Sequence, residues 1–350
     1  MILARTGYAA LVARKGGWRR AGSRKRFRYL DARGNRIDDP AKVERIESLA
    51  IPPAWKDVWI SPRPNAKLQA TGVDKAGRRQ YLYHPEFRAR QEQAKFDKLV
   101  RFAEALPKLR LAMGEHMTAA DPYERERVCA VAVRLINMAW FRVGSDRYAK
   151  TSRTHGVTTL TRRHVSVRGT RVTFRFRAKH RVQVRTTVVD TELAEAIKDL
   201  LAQPGGARLF RYGRNGDSCM LTGAVLNDYI REHMGEEFTA KDFRTWGGTI
   251  TAAIALAEHG VAETDGEAKR TVANVMRMVG ERLGNTPAVA RGSYVSPAVV
   301  EQYLDGTTLE DFRPRHLRIV KARDIGLDPE EKALVSLLRS WRIKQSRKAA

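Results

Sequence analysis

Cysteine is nearly absent. The 350 residues hold two, Cys129 and Cys219, far apart in sequence and in no Cys-x-x-Cys pair. That usage suits a reducing cytosol and argues against structural zinc. Long apolar runs are absent too. The N-terminal one, Ala9 to Ala13, comes soon after Arg5 and is too short for a secretory signal or a membrane span. The eight histidines form no His-Glu-x-x-His, and no Asp-x-Asp pair occurs. Gly17 and Gly22 have the spacing of a phosphate loop, but Ser23-Arg24 follows where Lys-Ser/Thr is needed. Zinc, ATP and paired-magnesium sites therefore have no motif. Acid is the last shortage. Asp plus Glu is 39 against 65 Lys plus Arg, a formal net charge of +26. Such an excess attracts a polyanion, of which nucleic acid is the commonest. No basic amphipathic anchor points to a membrane instead.

What is present fits a globular chain of two domains, with 43% hydrophobic residues. Basic residues Arg14 to Arg28, interleaved with Trp18 and Phe27 and followed by Tyr29, read either as a solvated arm or as a phosphate-contacting, base-stacking one. A turn at Asp31 to Asn35, a helix from Lys42 to Leu49 and a strand from Asp57 to Ser61 follow. Two further strands, Leu68 to Asp74 and Arg78 to Tyr83, flank a Lys75-Ala76-Gly77 turn. Helical periodicity dominates after Pro85. It runs from Phe87 to Leu106, where Pro107 interrupts, and from Pro122 to Phe141 with a stripe through Val128, Val131, Leu135 and Met138. Strands are expected at Val157–Leu160, His164–Val167, Val172–Phe176 and Val182–Val184. Helices return at Thr191–Ala202, Thr222–Met234, Lys241–Glu258, Glu267–Leu283 and Pro329–Ile343, before a basic tail from Lys344 to Lys348. The expected class is α+β: a small β-rich domain, residues 1–86, then a larger, mainly α-helical domain with a small antiparallel sheet, residues 87–350.

One stretch organises the rest, Leu283-Gly284-Asn285-Thr286-Pro287 through Tyr294. Gly284 stops the preceding helix and Pro287 bars its continuation. Tyr294 then stands in a loop, where a tyrosine is either inert or a nucleophile. Other segments offer partners. Arg142 precedes a glycine break, Lys179 lies on a turn between two strands, and Arg244 lies near a helix start. Asn285 is either a helix cap or a hydrogen-bond donor.

Taken together and in this order, these segments resemble the catalytic domain of type IB DNA topoisomerases of the poxvirus and bacterial branch. The likeness spans nearly the whole chain. Its most specific parts are Phe141-Arg142-Val143-Gly144 through Tyr148, the run Lys-Asp-Phe-Arg-Thr-Trp-Gly (241–247), and Gly284-Asn285-Thr286-Pro287 through Tyr294. The family pattern Arg, Lys, Arg, His, Tyr falls on Arg142, Lys179, Arg244, Asn285 and Tyr294. Position 285 departs from the His of poxvirus and nuclear members. An amide can donate a hydrogen bond to phosphate but cannot carry a charge.

The resemblance implies relaxation of supercoiled duplex DNA without ATP. Duplex DNA enters a clamp of two domains, Tyr294 attacks a phosphate, and a 3′-phosphotyrosyl link forms. Arg142, Arg244 and Asn285 stabilise the transition state and Lys179 is the general acid. The base that takes the phenol proton is open between water and the field of a neighbouring cation. Gly77-Arg78-Arg79-Gln80-Tyr81-Leu82-Tyr83 looks like the strand that reads the major groove, so Arg78, Arg79, Gln80, Tyr81 and Tyr83 are DNA-binding candidates, with Tyr148 and Lys241. No cofactor or metal is required, magnesium being at most a stimulant. The chain is expected to be a cytoplasmic, nucleoid-associated monomer. Lys241-x-x-Arg244, where tyrosine recombinases usually show His-x-x-Arg, favours a topoisomerase. A site-specific recombinase and a non-enzymatic DNA-binding protein are the alternatives.

Overall fold

The described part of the basic stretch, expected as an arm, forms two paired strands. Strands β1 (Trp18–Ser23) and β2 (Arg26–Leu30) pair antiparallel, with Arg20 opposite Tyr29. Arg20 is held there: its guanidinium donates to the carbonyls of Ile51, Pro52 and Trp55 and stacks on Phe27. The computed structural model describes residues 16–23, 26–213, 218–313 and 326–349. Arg5, the Ala9–Ala13 run, Arg14, Lys15, Arg24 and Lys25 thus lie outside the described residues, as does the side chain of Lys348.

The chain divides into two compact units, residues 1–95 and 96–350. In the first, β1 and β2 join β3 (Lys56–Ile60), β4 (Leu68–Val73) and β5 (Arg79–Tyr83) in one antiparallel sheet of order β2-β1-β3-β4-β5. Helix α1 (Pro40–Ser48) is capped by the Asp39 carboxylate, which accepts from the Ala41 and Lys42 amides. It lends Ile46 to a core with Val58, Ile60 and Ala70, against which Trp18, Tyr29 and Leu82 pack. Alternation along β5 turns Leu82 to that core and sends Tyr81 and Tyr83 to Trp59 and Leu68.

Helix α2 (Pro85–Met117) runs straight through Pro107, where a break was expected. A proline removes one backbone donor, at a cost of about 3 kcal/mol in a helix interior. The face of Phe102, Ala103, Leu106, Leu109 and Met113 stays buried across it and outweighs that cost. Helix α3 (Arg125–Ala139) is buried at every position from Val128 to Val133, so it has more than a stripe. Met138, expected inside, is 38% exposed, because the last turn of α3 opens onto a cleft.

After the short helix α4 (Asp146–Thr151), the expected strand at 157–160 is a 3-10 turn, Val157–Thr159. Val157, Thr158 and Thr159 are all buried, and the Thr159 hydroxyl accepts from the Gly156 amide, which closes the turn instead of extending it. Strands β6 (Val165–Arg168), β7 (Arg171–Arg177) and β8 (Gln183–Val189) form a three-stranded antiparallel sheet. Phe174 and Phe176 face inward from β7 onto Phe141.

The rest is helical: α5 (Thr191–Ala202), then the two-residue strands β9 (Arg211–Tyr212) and β10 (Cys219–Met220), α6 (Gly223–Met234), α7 (Ala240–His259), α8 (Asp265–Leu283), α9 (Pro287–Ser293), α10 (Pro297–Leu304) and α11 (Pro329–Ala349). Pro287 ends nothing further; it begins α9 as its first residue, so Tyr294 terminates a helix and does not sit in an open loop. Helix α11 packs on its own chain. Glu331 binds Arg110 through both oxygens and accepts from the Trp246 indole, and the Gln302 amide donates to the Leu337 carbonyl. Among the described residues no helix is long and apolar enough to cross a membrane.

Candidate active site

Helix α8 ends as the sequence requires. Gly284 takes the left-handed conformation at φ 61°, and the Asn285 amide reaches back to the Gly280 carbonyl at 2.7 Å. This turn leaves the Leu283 and Gly284 carbonyls facing outward, and three side chains converge on them. Arg142 donates from Nη1 to the Leu283 carbonyl at 3.2 Å and from Nη2 to the Gly284 carbonyl at 3.1 Å. Arg244 donates from Nη2 to the same Leu283 carbonyl at 2.8 Å. Asn285 Nδ2 also donates to it, at 3.3 Å, and Asn285 Oδ1 accepts from Arg142 Nη2 at 2.8 Å. Residue 285 is therefore both part of the helix end and a tether for Arg142.

Each arginine has a second anchor. Helix α3 stops at Trp140, a non-glycine residue in the left-handed region at φ 51°, and this turn aims its carbonyl at Arg244 Nη1, 2.5 Å away. The indole of Trp140 lies on Gly247, where an added Cβ would fall 2.3 Å from the ring, and the Arg282 guanidinium stacks on the indole at 4.3 Å. The Arg142 backbone is pinned by the Val157 amide at 2.8 Å, an approach that leaves no room for a side chain at Gly156.

Tyr294 is delivered by α9, whose first turn is capped by the Thr286 hydroxyl. Its carbonyl accepts from the Thr249 hydroxyl at 3.1 Å, and Gly248 allows its backbone to lie close on α7. The Arg244 guanidinium sits 5.0 Å from the Tyr294 ring centroid. Burial works to raise the phenol's pKa. The Arg244 charge and hydrogen bonding, with Arg142 and Lys241 behind them, outweigh burial and leave it below the ordinary tyrosine value. Arg142 is pushed down to about 10 by burial and by the Arg244 charge.

The arginines border a cleft of about 510 Å³, whose walls also carry Trp140, Arg282 and Leu283. Lys179 is exposed at the tip of the β7–β8 hairpin, in a tight turn where His180 and Arg181 have φ of 63° and 62°. Its neighbours Ala178 and Val182 line the cleft. The structure thus gathers Arg142, Arg244, Asn285 and Tyr294, and carries Lys179 on a hairpin at their edge. Lys241 is exposed in the first turn of α7, and Tyr148 is 43% exposed on α4.

In the first unit, the Asp74 carboxylate holds Arg78 Nε and Gln80 Nε2, each at 2.8 Å. The Arg78 amide, the Arg78 side chain and Gln80 hold the Asp74 pKa down at about 2. Tyr81 and Tyr83 stack with centroids 6.3 Å apart, and Arg79 is exposed beside them.

Trp140, Arg282 and the Leu283 carbonyl were not read from the sequence. Trp140 lay inside a recognised segment. A backbone carbonyl leaves no trace in residue type.

A phenol inclined to ionise under two fixed guanidiniums is the equipment of an enzyme that attacks phosphate esters. Comparison with known proteins agrees. Residues 84–310 match the family described as the catalytic core of eukaryotic DNA topoisomerase I, and residues 26–74 match the N-terminal domain of bacterial DNA topoisomerase IB. DNA topoisomerase 1B of Acanthamoeba polyphaga mimivirus is 32% identical over 269 residues, 75% of this chain and 80% of the relative. DNA topoisomerase I of Monkeypox virus and DNA topoisomerase 1B of Vaccinia virus are each 20% identical over 279 residues, 78% of this chain and 85% of theirs. The chain belongs to the type IB DNA topoisomerases.

The electrostatics give a test. With Arg244→Gln, burial no longer meets a full opposing charge, so the Tyr294 pKa should rise relative to the parent protein. Ultraviolet titration of tyrosinate, taken as the difference from Tyr294→Phe in each background, reads it directly. A pKa unchanged by Arg244→Gln would remove Arg244 as the source of the shift.

Proposed function

We propose that this chain relaxes supercoiled duplex DNA through a covalent tyrosyl intermediate. The observation that carries the reading is the Tyr294 ring beneath Arg244, with Arg142 and Arg244 joined on one carbonyl. The Tyr294 oxygen attacks a backbone phosphorus in line. A bond from the phenol oxygen to phosphorus forms, the bond from phosphorus to the 5′-oxygen breaks, and the product is a 3′-phosphotyrosyl link with a free 5′-hydroxyl. The phenol proton passes to water, a loss that the Arg244 field favours. Arg142 and Arg244 fork onto the non-bridging oxygens, where charge accumulates in the pentacoordinate state. Asn285 keeps Arg142 in register and has a second amide hydrogen to offer. The 5′-oxygen needs a proton to leave, since its conjugate acid is far weaker than phenol and close to water at about 15.7. Lys179 supplies it. Torsion escapes by rotation while the strand is open, and reversal of the same steps reseals it.

The ester conserves the energy of the broken bond, so ATP is not consumed. Guanidiniums meet the developing charge, so no metal is required, although magnesium can speed product release by screening DNA charge. The protein works as a monomer on DNA in the cytoplasm. Arg78, Arg79, Gln80, Tyr81, Tyr83, Tyr148 and Lys241 contribute contacts to the duplex. Release of Gln80 from Asp74 frees its amide for a base edge.

Supercoiled plasmid incubated in EDTA without ATP should relax with the wild type and remain supercoiled with Tyr294→Phe. Relaxation at the wild-type rate by Tyr294→Phe would end this reading.

Lys179 is tested by the leaving group. Lys179→Ala should slow single-turnover cleavage by about 10²–10⁴-fold, the usual worth of a positioned acid. With sulfur at the bridging 5′ position the leaving thiol has a pKa of about 8.5 and needs no proton. Lys179→Ala should then cleave at nearly the wild-type rate. A defect of equal size on both substrates would show that the lysine positions DNA and that another group is the acid.

A further inference from the structure

From Arg147 to Val189 the chain holds ten arginines, two lysines and no Asp or Glu. Part of that charge is concentrated on one side of the three-stranded sheet. Along β7, Arg171, Arg175 and Arg177 are exposed and alternate with the buried Val172, Phe174 and Phe176. Along β8, Gln183, Arg185 and Thr187 are exposed. The register sets Arg175 directly opposite Arg185, one pair along from Thr173 and Thr187 on the same face. The two threonine hydroxyls are joined at 2.9 Å, a pairing that suits a strand surface. Two arginines in the next such position repel, and like charges directly opposite each other weaken a strand pair.

No carboxylate among the described residues pairs with Arg175 or Arg185 to offset that repulsion. Among the described residues, Arg153, Arg163, Arg175, Arg177 and Arg185 have neither an ion pair nor a side-chain hydrogen bond. All five line one open groove of about 820 Å³, together with His155. The groove continues into the candidate active site: His155, Phe176, Gln183, Val184 and Arg185 border both it and the cleft that holds Arg142 and Arg244. A ligand that leaves one enters the other. The groove is open and lined by five planar cations, which suits a repeating anion better than a single small one.

We propose that this arginine face binds the phosphodiester backbone of the DNA immediately beside the phosphate under attack. The inference rests on DNA being the substrate of the cleft. Phosphates bound between Arg175 and Arg185 turn a repelling pair into a bridged one. The sheet that carries Lys179 on its β7–β8 hairpin is thereby fastened to the same strand that the hairpin serves. Arginine stands where threonine would favour the free protein because binding, not folding, uses it.

The test is Arg175→Thr/Arg185→Thr, made in the Tyr294→Phe background so that binding is read without a covalent product. Affinity for a fixed duplex is followed by fluorescence anisotropy from 50 to 200 mM salt. Each phosphate contact adds about 0.9 to the slope of log affinity against log salt. The slope should therefore flatten by roughly 1.8 when two contacts are lost. The melting temperature of the free protein should be unchanged or higher, as a repelling pair has been removed. Arg175→Lys/Arg185→Lys, which keeps both charges, should retain the parent slope. A threonine variant with the parent slope overturns the proposal and leaves an acidic polypeptide as the polyanion that fits the groove. A variant that melts lower and loses affinity without any change in slope also overturns it, since the arginines would then be structural. If the wild type neither relaxes supercoils nor forms an adduct while the slope still flattens, the proposed enzyme fails and the DNA-binding face remains.

Discussion

Two guanidiniums share one carbonyl oxygen, that of Leu283, and the site depends on this contact. Arg142 and Arg244 come from different parts of the chain, and their charges oppose each other. What holds them together is the C-terminal end of α8, where carbonyls without helical partners carry partial negative charge. The sequence creates that end with Gly284, whose left-handed backbone turns the chain away and leaves the carbonyls open. The same turn starts the path through α9 to Tyr294. One helix terminus therefore sets the spacing of both cations and the approach of the phenol.

The arrangement is costly in the free protein and useful in the reaction. Two cations, Arg244 buried and Arg142 partly so, have backbone carbonyls for partners and lack a full counter-charge. A phosphate gaining charge during attack supplies it fully. Donors already oriented toward developing charge need no reorganisation at that moment, which is where electrostatic stabilisation gains most. Trp140 supports this from below: its strained turn aims a carbonyl at Arg244, and its ring is fixed between Gly247 and Arg282. The arginine face of the small sheet follows the same logic, with repulsion tolerated where an anion is to bind.

Local signals made most elements legible in the sequence. The start of α5 at Thr191, the halt of α8 at Gly284 and the two strands around Lys75-Ala76-Gly77 follow from caps, glycine and alternation. The misreadings had several causes. Pro107 was overridden by a buried face that only packing shows, and the turn at Val157 was set by a threonine hydroxyl and complete burial. The basic hairpin at Trp18 to Leu30 was hidden because its charges masked its alternation. Within the candidate site, residue types alone were weak signals, and it was the family resemblance of their segments, taken in order, that pointed to Arg142, Lys179, Arg244, Asn285 and Tyr294. The bond that gathers them could not be read, since it joins positions about 140 residues apart through a backbone atom.

The most direct test of this account is the identity of the residue that carries DNA when the reaction is stopped by denaturant in mid-course. Peptide mapping of the trapped adduct should find one site, Tyr294, bearing DNA through a 3′-phosphate and leaving a free 5′-hydroxyl on the other fragment. DNA attached to any other side chain, or to Tyr294 through a 5′-phosphate, would contradict it.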